Sequence, residues 1–302
     1  MTTEGRRRSR RRNTAETQDP QRLLLEEIRT TLRSPVVPLL IHRLAAGFPA
    51  YLERAWRELK PNLLSRAFEH RAEELRAAAL QAAAEASGLA PGAFREALRR
   101  RMLFASVVDE IARAVDVAFL LEPKVLLVAT ALDLALDNEP VGAAADLGPE
   151  EREALPAPPA TEAGEFALLG DAEAPARVLR LWDDLVRTLE LPGVTEAFRA
   201  FGRWPDFLEV VWATAKPLVR GGGVDRIGAL AEDGARRLPF RVTVGPVVVA
   251  QLGYAPAQAT ELARLARQFR RRLPAAVFTV ALAKLGLDAA GLARTQAAPL
   301  PA

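Results

Sequence analysis

The sequence predicts an all-α protein made of two tandem helical repeats, packed against each other as a pseudo-two-fold intramolecular dimer. Three observations carry this expectation. Alanine, leucine, arginine and glutamate dominate the 302 residues, and all are strong helix formers. Strand signals are almost absent; only the valine-rich stretch 240–249 could be extended, and the duplication argues for buried helix or coil there. Finally, a rare pattern occurs twice. Pro49, Leu52, Glu53, Trp56, Lys60 and Pro61 coincide with Pro205, Leu208, Glu209, Trp212, Lys216 and Pro217, and Phe48 and Tyr51 exchange for Trp204 and Phe207.

A second block repeats in a register five residues shorter, which one loop deletion explains. Ile111-Ala-Arg is similar to Leu262-Ala-Arg, and Pro123 with the apolar run 125–134 is similar to Pro274 with 276–285.

Taken in order, a first amphipathic helix begins near Leu23. Pro49 and Pro205 each sit where a first helical turn tolerates a missing N–H. Leu52, Ala55, Trp56 and Leu59 then form one apolar face, which puts both Trp56 and Trp212 inside, and Pro61 ends the helix. Residues 69–86 form an alanine-rich helix closed by Ser87-Gly88, Pro91 opens another through Arg101, and residues 104–119 continue helically. The stretch 114–136 is the most apolar, yet Asp116, Glu122, Lys124 and Asp133 make it too costly for a lipid span, so it reads as a pair of buried helices broken at Pro123. These readings give a disordered basic tail over 1–20, repeat 1 over 21–138, a linker rich in proline and glycine over 139–175, repeat 2 over 176–294, and a disordered tail over 295–302.

Composition excludes much chemistry. No cysteine removes thiol nucleophiles, disulfides and thiolate metal sites. Only His42 and His70 are available, too few for a zinc cage and a poor basis for a Ser-His-Asp triad. His42 reads as a core or hinge residue, and His70 as exposed. Gly221-Gly222-Gly223 lacks phosphate-loop spacing and reads as a plain turn. No metal and no cofactor are expected. The charge of +3 comes from six arginines between Arg6 and Arg12; without them it becomes −3. That run is followed by polar residues and not by an apolar export segment, so a cytoplasmic location is expected, with no membrane partner and no nucleic-acid partner for the body.

A duplication is its own control, because a costly residue in only one copy asks for a reason. Asp206 stands in the second aromatic turn where the first has Ala50. Confined between Trp204 and Phe207, it would be desolvated and basic enough for a general base; exposed, it would be a first-turn acid favoured by the helix dipole. Glu122 stands before Pro123 where the other copy has Leu273, in a position that favours extended backbone at a helix junction. It either faces a pocket between the halves or snorkels to water.

The doubled aromatic-Pro-x-aromatic-Leu turn with its following tryptophan resembles the group I 2-haloacid dehalogenases. The resemblance implies an all-α pair of repeats with the active site between them and a small carboxylic acid as substrate. In that family an aspartate of the second repeat activates water for direct attack on C2 of a 2-haloalkanoic acid, with inversion and no cofactor. It implies Asp206 as the base, Glu122 in place of an asparagine that helps to hold the water, and Phe48, Tyr51, Trp204 and Phe207 as pocket wall. A homodimer stays open. So do two other functions: the same fold binding a different small acid without catalysis, and an interaction protein using its arginine tail on nucleic acid.

Overall fold

The computed structural model describes residues 19–156 and 166–288. Most of the expected basic tail, the C-terminal tail and part of the linker lie outside the described residues. Among the described residues the chain is helical with no strand; a lone antiparallel bridge joins Ser65 to Ala154. The first half supplies α1 (Pro20–Thr31), α2 (Leu39–Gly47), α3 (Pro49–Leu64), α4 (Arg66–Ser87), α5 (Ala93–Arg100) and α6 (Ala105–Leu136). A single turn, α7 (Pro149–Arg152), lies in the linker. The second half supplies α8 (Ala176–Leu189), α9 (Glu196–Phe201), α10 (Pro205–Ala215), α11 (Gly222–Arg236), α12 (Pro246–Gln251) and α13 (Pro256–Leu287).

The centre of the molecule is the pair α6 and α13, each 32 residues long. Every residue of α6 from Leu121 to Leu136 is buried, as is α13 from Leu273 to Leu287 apart from Lys284. A helix apolar on all faces is stable only when neighbours enclose it, and α4, α9, α11 and α13 do so for α6. Two of the charges inside this stretch are matched: Lys124 Nζ lies 2.6 Å from Glu69 of α4, and Asp133 lies 2.9 Å from Arg270 of α13.

The two aromatic turns begin α3 and α10 as their prolines require, with Phe48 and Trp204 as the N-cap residues. Trp56 and Trp212 are both buried, and each indole is held in the same way. Trp56 Nε1 donates to Glu27 of α1 at 2.9 Å, and Lys60 pairs with the same carboxylate. Trp212 Nε1 donates to Asp184 of α8 at 2.8 Å, and Lys216 pairs with that carboxylate. Both acids are pushed below the ordinary range, first by their lysines and then by the indoles.

Several expectations are corrected. The stretch 114–136 is one continuous helix and not two, since α6 runs straight through Pro123. Glu122 is consequently helical rather than extended, because enclosure by neighbouring helices outweighs the preference of a residue before proline. Pro61 does not end α3, which continues to Leu64; the proline lies on the exposed side, where water can reach the carbonyl it frees. His42 is on the exposed side of α2 and not in the core. Gly221–Gly223 is not a plain turn, since α11 starts at Gly222 and Gly223 passes close to Ala82 of α4.

Near the end of α13, Gly286 lets the ring of Phe94 lie against the backbone, and a Cβ there would meet that ring at 2.1 Å. Gly286→Ala should therefore cost about 1–3 kcal/mol of unfolding free energy in urea titration. Gly47, with nothing within 4 Å of a built Cβ, is the contrasting site. Gly47→Ala should leave the midpoint unchanged or raise it slightly.

Candidate active site

Asp206 does not occupy an apolar pocket. It sits in the first turn of α10 with 39% of its side chain exposed, 2.9 Å from Arg177 and 3.3 Å from Arg101. Glu209 shares the same two arginines. The four groups tie α5, α8 and α10 together through an exposed ion-pair cluster. Two guanidiniums and solvent thus surround the carboxylate that the turn expected to be desolvated.

The expected aromatic wall falls into two groups. Phe48 packs edge-on against Tyr254, 5.8 Å between centroids. Tyr51 is fully buried; its hydroxyl donates to the Val244 carbonyl at 3.1 Å, and its backbone N–H donates to the Tyr254 hydroxyl at 3.2 Å. These contacts seat the first aromatic turn on the second half. Phe207 packs on Phe201 at 5.3 Å, and Phe201 on Phe198 at 6.4 Å, which places it against α9. Trp204 is half-buried and stacks under the Arg203 guanidinium at 4.8 Å. A groove of about 840 Å³ between α1 and α3 is walled by residues such as Leu24, Leu52 and Trp56, and none of the candidate acids lines it.

Glu122 is where the sequence draws attention to it and the surroundings are unusual. Only 2% exposed, it points from α6 toward the start of α9. Burial pushes its carboxyl up to about 7, although the Thr195 hydroxyl and the Ala197 N–H beside it favour the charged form. Between those two neighbours in sequence stands Glu196, 6% exposed, which no sequence pattern had singled out. Burial, followed by the negative charge of Glu122, pushes Glu196 up to about 8. The backbone N–H groups of Glu196 itself and Leu39, and the charge of Arg199, oppose this only in part.

One buried acid from each half thus stands in the α6–α9 seam, close enough for the charge of Glu122 to act on Glu196. Glu122 Oε1 and Thr195 Oγ are both buried without a hydrogen-bond partner. Thr195 stands at the N-cap of α9, where a threonine hydroxyl ordinarily accepts a backbone N–H, yet it makes no capping bond. Buried polar atoms are rarely left in this state; among the described residues Arg71, Arg76 and Asp133 each hold one more such atom, but each of those residues also has an ion-pair partner. Chemically, such a seam can hold and deprotonate a water molecule. Among the described residues no group of three or more acidic or histidine side chains is arranged to hold a metal ion.

A signal for Glu196 was present in the duplication. Carrying the register of the aromatic turns eight residues upstream places Leu40 of α2 over Glu196 of α9. Leu40 is 1% exposed. In these registers each member of the acid pair falls on a buried leucine, Glu122 on Leu273 and Glu196 on Leu40.

The pair should be visible as a pH dependence of stability. The folded protein keeps protons up to about 7 and about 8 that the unfolded chain releases near 4.5. Its contribution is therefore complete below pH 4.5 and is lost as pH rises through that window. Glu122→Leu/Glu196→Leu should gain on the wild type between pH 5 and pH 8 by a few kcal/mol, since each tenfold change in proton affinity is worth about 1.4 kcal/mol. Chemical unfolding at both pH values checks this, and a difference that does not change with pH contradicts the assignment of the pair.

No family model matches the chain. Curated relatives do. It is 24% identical over 264 residues to an (R)-2-haloacid dehalogenase of Pseudomonas putida, covering 85% of each chain. It is 34% identical over 193 residues to a configuration-inverting 2-haloacid dehalogenase of Alcaligenes xylosoxydans xylosoxydans, covering 62% of this chain and 61% of the relative. Among solved structures, a D-2-haloacid dehalogenase mutant superposes with a TM-score of 0.80 at 21% identity, over 89% of this chain and 92% of that one. A complex of such a mutant with D-2-CPA gives 0.78 at 22% identity, over 88% and 91%. The doubled aromatic turn, the helical architecture and these likenesses agree: the chain is similar to the configuration-inverting 2-haloacid dehalogenases.

Proposed function

We propose that this protein is a cofactor-independent cytoplasmic hydrolase that removes halide from small 2-haloalkanoic acids, with the Glu122–Glu196 seam as its reaction centre. The observation that carries this reading is one desolvated carboxylate from each half meeting inside a chain whose curated relatives are named 2-haloacid dehalogenases. Water held between the acids attacks C2 of the substrate as Glu196 takes its proton. The new C–O bond forms as the carbon–halogen bond breaks, the bonding pair leaves with the halide, and the configuration inverts. A base raised toward neutrality by burial suits this step better than a solvated one.

Glu196 takes the role that the resemblance gives to an acid of the second repeat, and Glu122 faces it from the first. We read the two halves as repeats about a pseudo-two-fold axis. The matching anchors Trp56–Glu27–Lys60 and Trp212–Asp184–Lys216 support that reading, as do the two long helices with internal prolines. Asp206 then serves the fold by linking three helices through its arginines.

Halide release from 2-chloropropanoate is the test. Glu196→Gln keeps shape but removes the base and should lower the rate about 100- to 10,000-fold. Asp206→Asn should stay within about threefold of wild type, since losing an exposed ion pair costs at most about 1 kcal/mol. The reverse pattern would return the base to Asp206. A folded wild type that releases no halide from any small 2-haloacid would leave the alternative of a small-acid binder without catalysis.

A further inference from the structure

We propose that Glu122 and Glu196 share one proton across the α6–α9 seam, so that the site carries a single negative charge and takes up a proton when an anionic carboxylate binds to it. This rests on the reading of the seam as the substrate site. It also answers an objection to that reading: two ionised glutamates would repel a 2-haloalkanoate, whereas one ionised and one neutral acid leave a donor to offer it.

The geometry supplies the argument. Glu122 lies against both Thr195 and Ala197, the residues flanking Glu196, and its charge is, after burial, the largest influence that raises Glu196. Both are inside the protein, where two adjacent negative charges cannot be solvated. Of the basic groups nearby, Arg199 sits one turn along α9 but is drawn to Asp171 and the Trp182 ring. Arg43 of α2 reaches the Pro192 carbonyl. Four other acids and bases along α6 are turned to different partners: Asp109 to Arg95 of α5, Asp116 to Lys284 of α13, Lys124 to Glu69 of α4, and Asp133 to Arg270 of α13. The pair is left to neutralise itself by retaining a proton.

A protonated carboxyl offers one O–H donor and one carbonyl acceptor, as an amide offers donor and acceptor. When the shared proton sits on Glu122, Glu196 is left ionised as the base and Glu122 offers the donor and acceptor of the asparagine expected at its position, with its unpartnered Oε1 and the Thr195 hydroxyl free for water or substrate. Once the second proton leaves, binding a carboxylate requires recovering that proton from solvent. Affinity for the anion should then fall about tenfold per pH unit.

The experiment is a pH titration of glutamate Cδ signals in the 13C-labelled full chain, with and without propanoate, an anion that lacks a leaving group. Glu122→Gln and Glu196→Gln assign the two signals, with Glu122→Leu as the second variant because the other repeat holds leucine there. Expected are two carboxyls still titrating above pH 6, and a higher midpoint that rises by at least about one pH unit at saturating propanoate. In Glu122→Gln, propanoate affinity should lose its dependence on pH above 7. Two carboxylates fully ionised below pH 5 overturn the proposal, as does propanoate that fails to bind or binds without moving either midpoint. If propanoate moves the midpoints in a protein that releases no halide, proton sharing stands and the dehalogenase reading falls.

Discussion

The structure depends on α6 lying against α13. Each of these helices is buried around nearly its whole circumference over its last four turns, so neither can exist in water without the other and a shell of neighbours. All other elements are arranged around that demand. Helices α4 and α11 cover the pair, α9 closes on α6, and the aromatic turns of α3 and α10 reach across to hold the shell in place. Two matching tryptophan anchors, each tied to an acid and a lysine, fix the flanking helices α1 and α8.

Within so apolar a centre, a charge is tolerated only with a partner, and most of the buried charges have one. Lys124 with Glu69 and Asp133 with Arg270 are opposite charges that offset much of their own desolvation. Glu122 and Glu196 are the exception, two like groups placed where the repeat pattern offers leucines. Stability alone does not explain that choice, since burying two like acids costs desolvation that an apolar side chain avoids. A pair maintained against the interests of the fold is the kind of feature that reaction chemistry accounts for.

Much of this was legible in the sequence, and the illegible parts have specific physical reasons. Pro49 and Pro205 announce helix starts because a first turn has no use for their missing N–H. Pro61 and Pro123 misled because the local rule says nothing about enclosure, which keeps α3 and α6 helical through them. Asp206 was singled out as a departure between the copies, but its environment depends on Arg101 and Arg177, which come from separate helices. Glu122 was found because proline and a long apolar run fixed the register around it. Glu196 was not, since Leu40 over Glu196 lies eight residues before the aromatic turns, in a short helix without a rare residue to mark the departure.

The α6–α13 contact also governs the order in which the chain can be made. Helix α6 is complete at Leu136, whereas α13 begins only at Pro256. At about 5–20 residues per second, translation of the intervening stretch takes roughly 6–24 s. Throughout that interval the most apolar helix of the first half lacks its principal partner, so the face it turns to α13 must be shielded by transient collapse or by a chaperone. The protein therefore folds late for its length, and a ribosome stalled anywhere between the two helices displays an aggregation-prone surface.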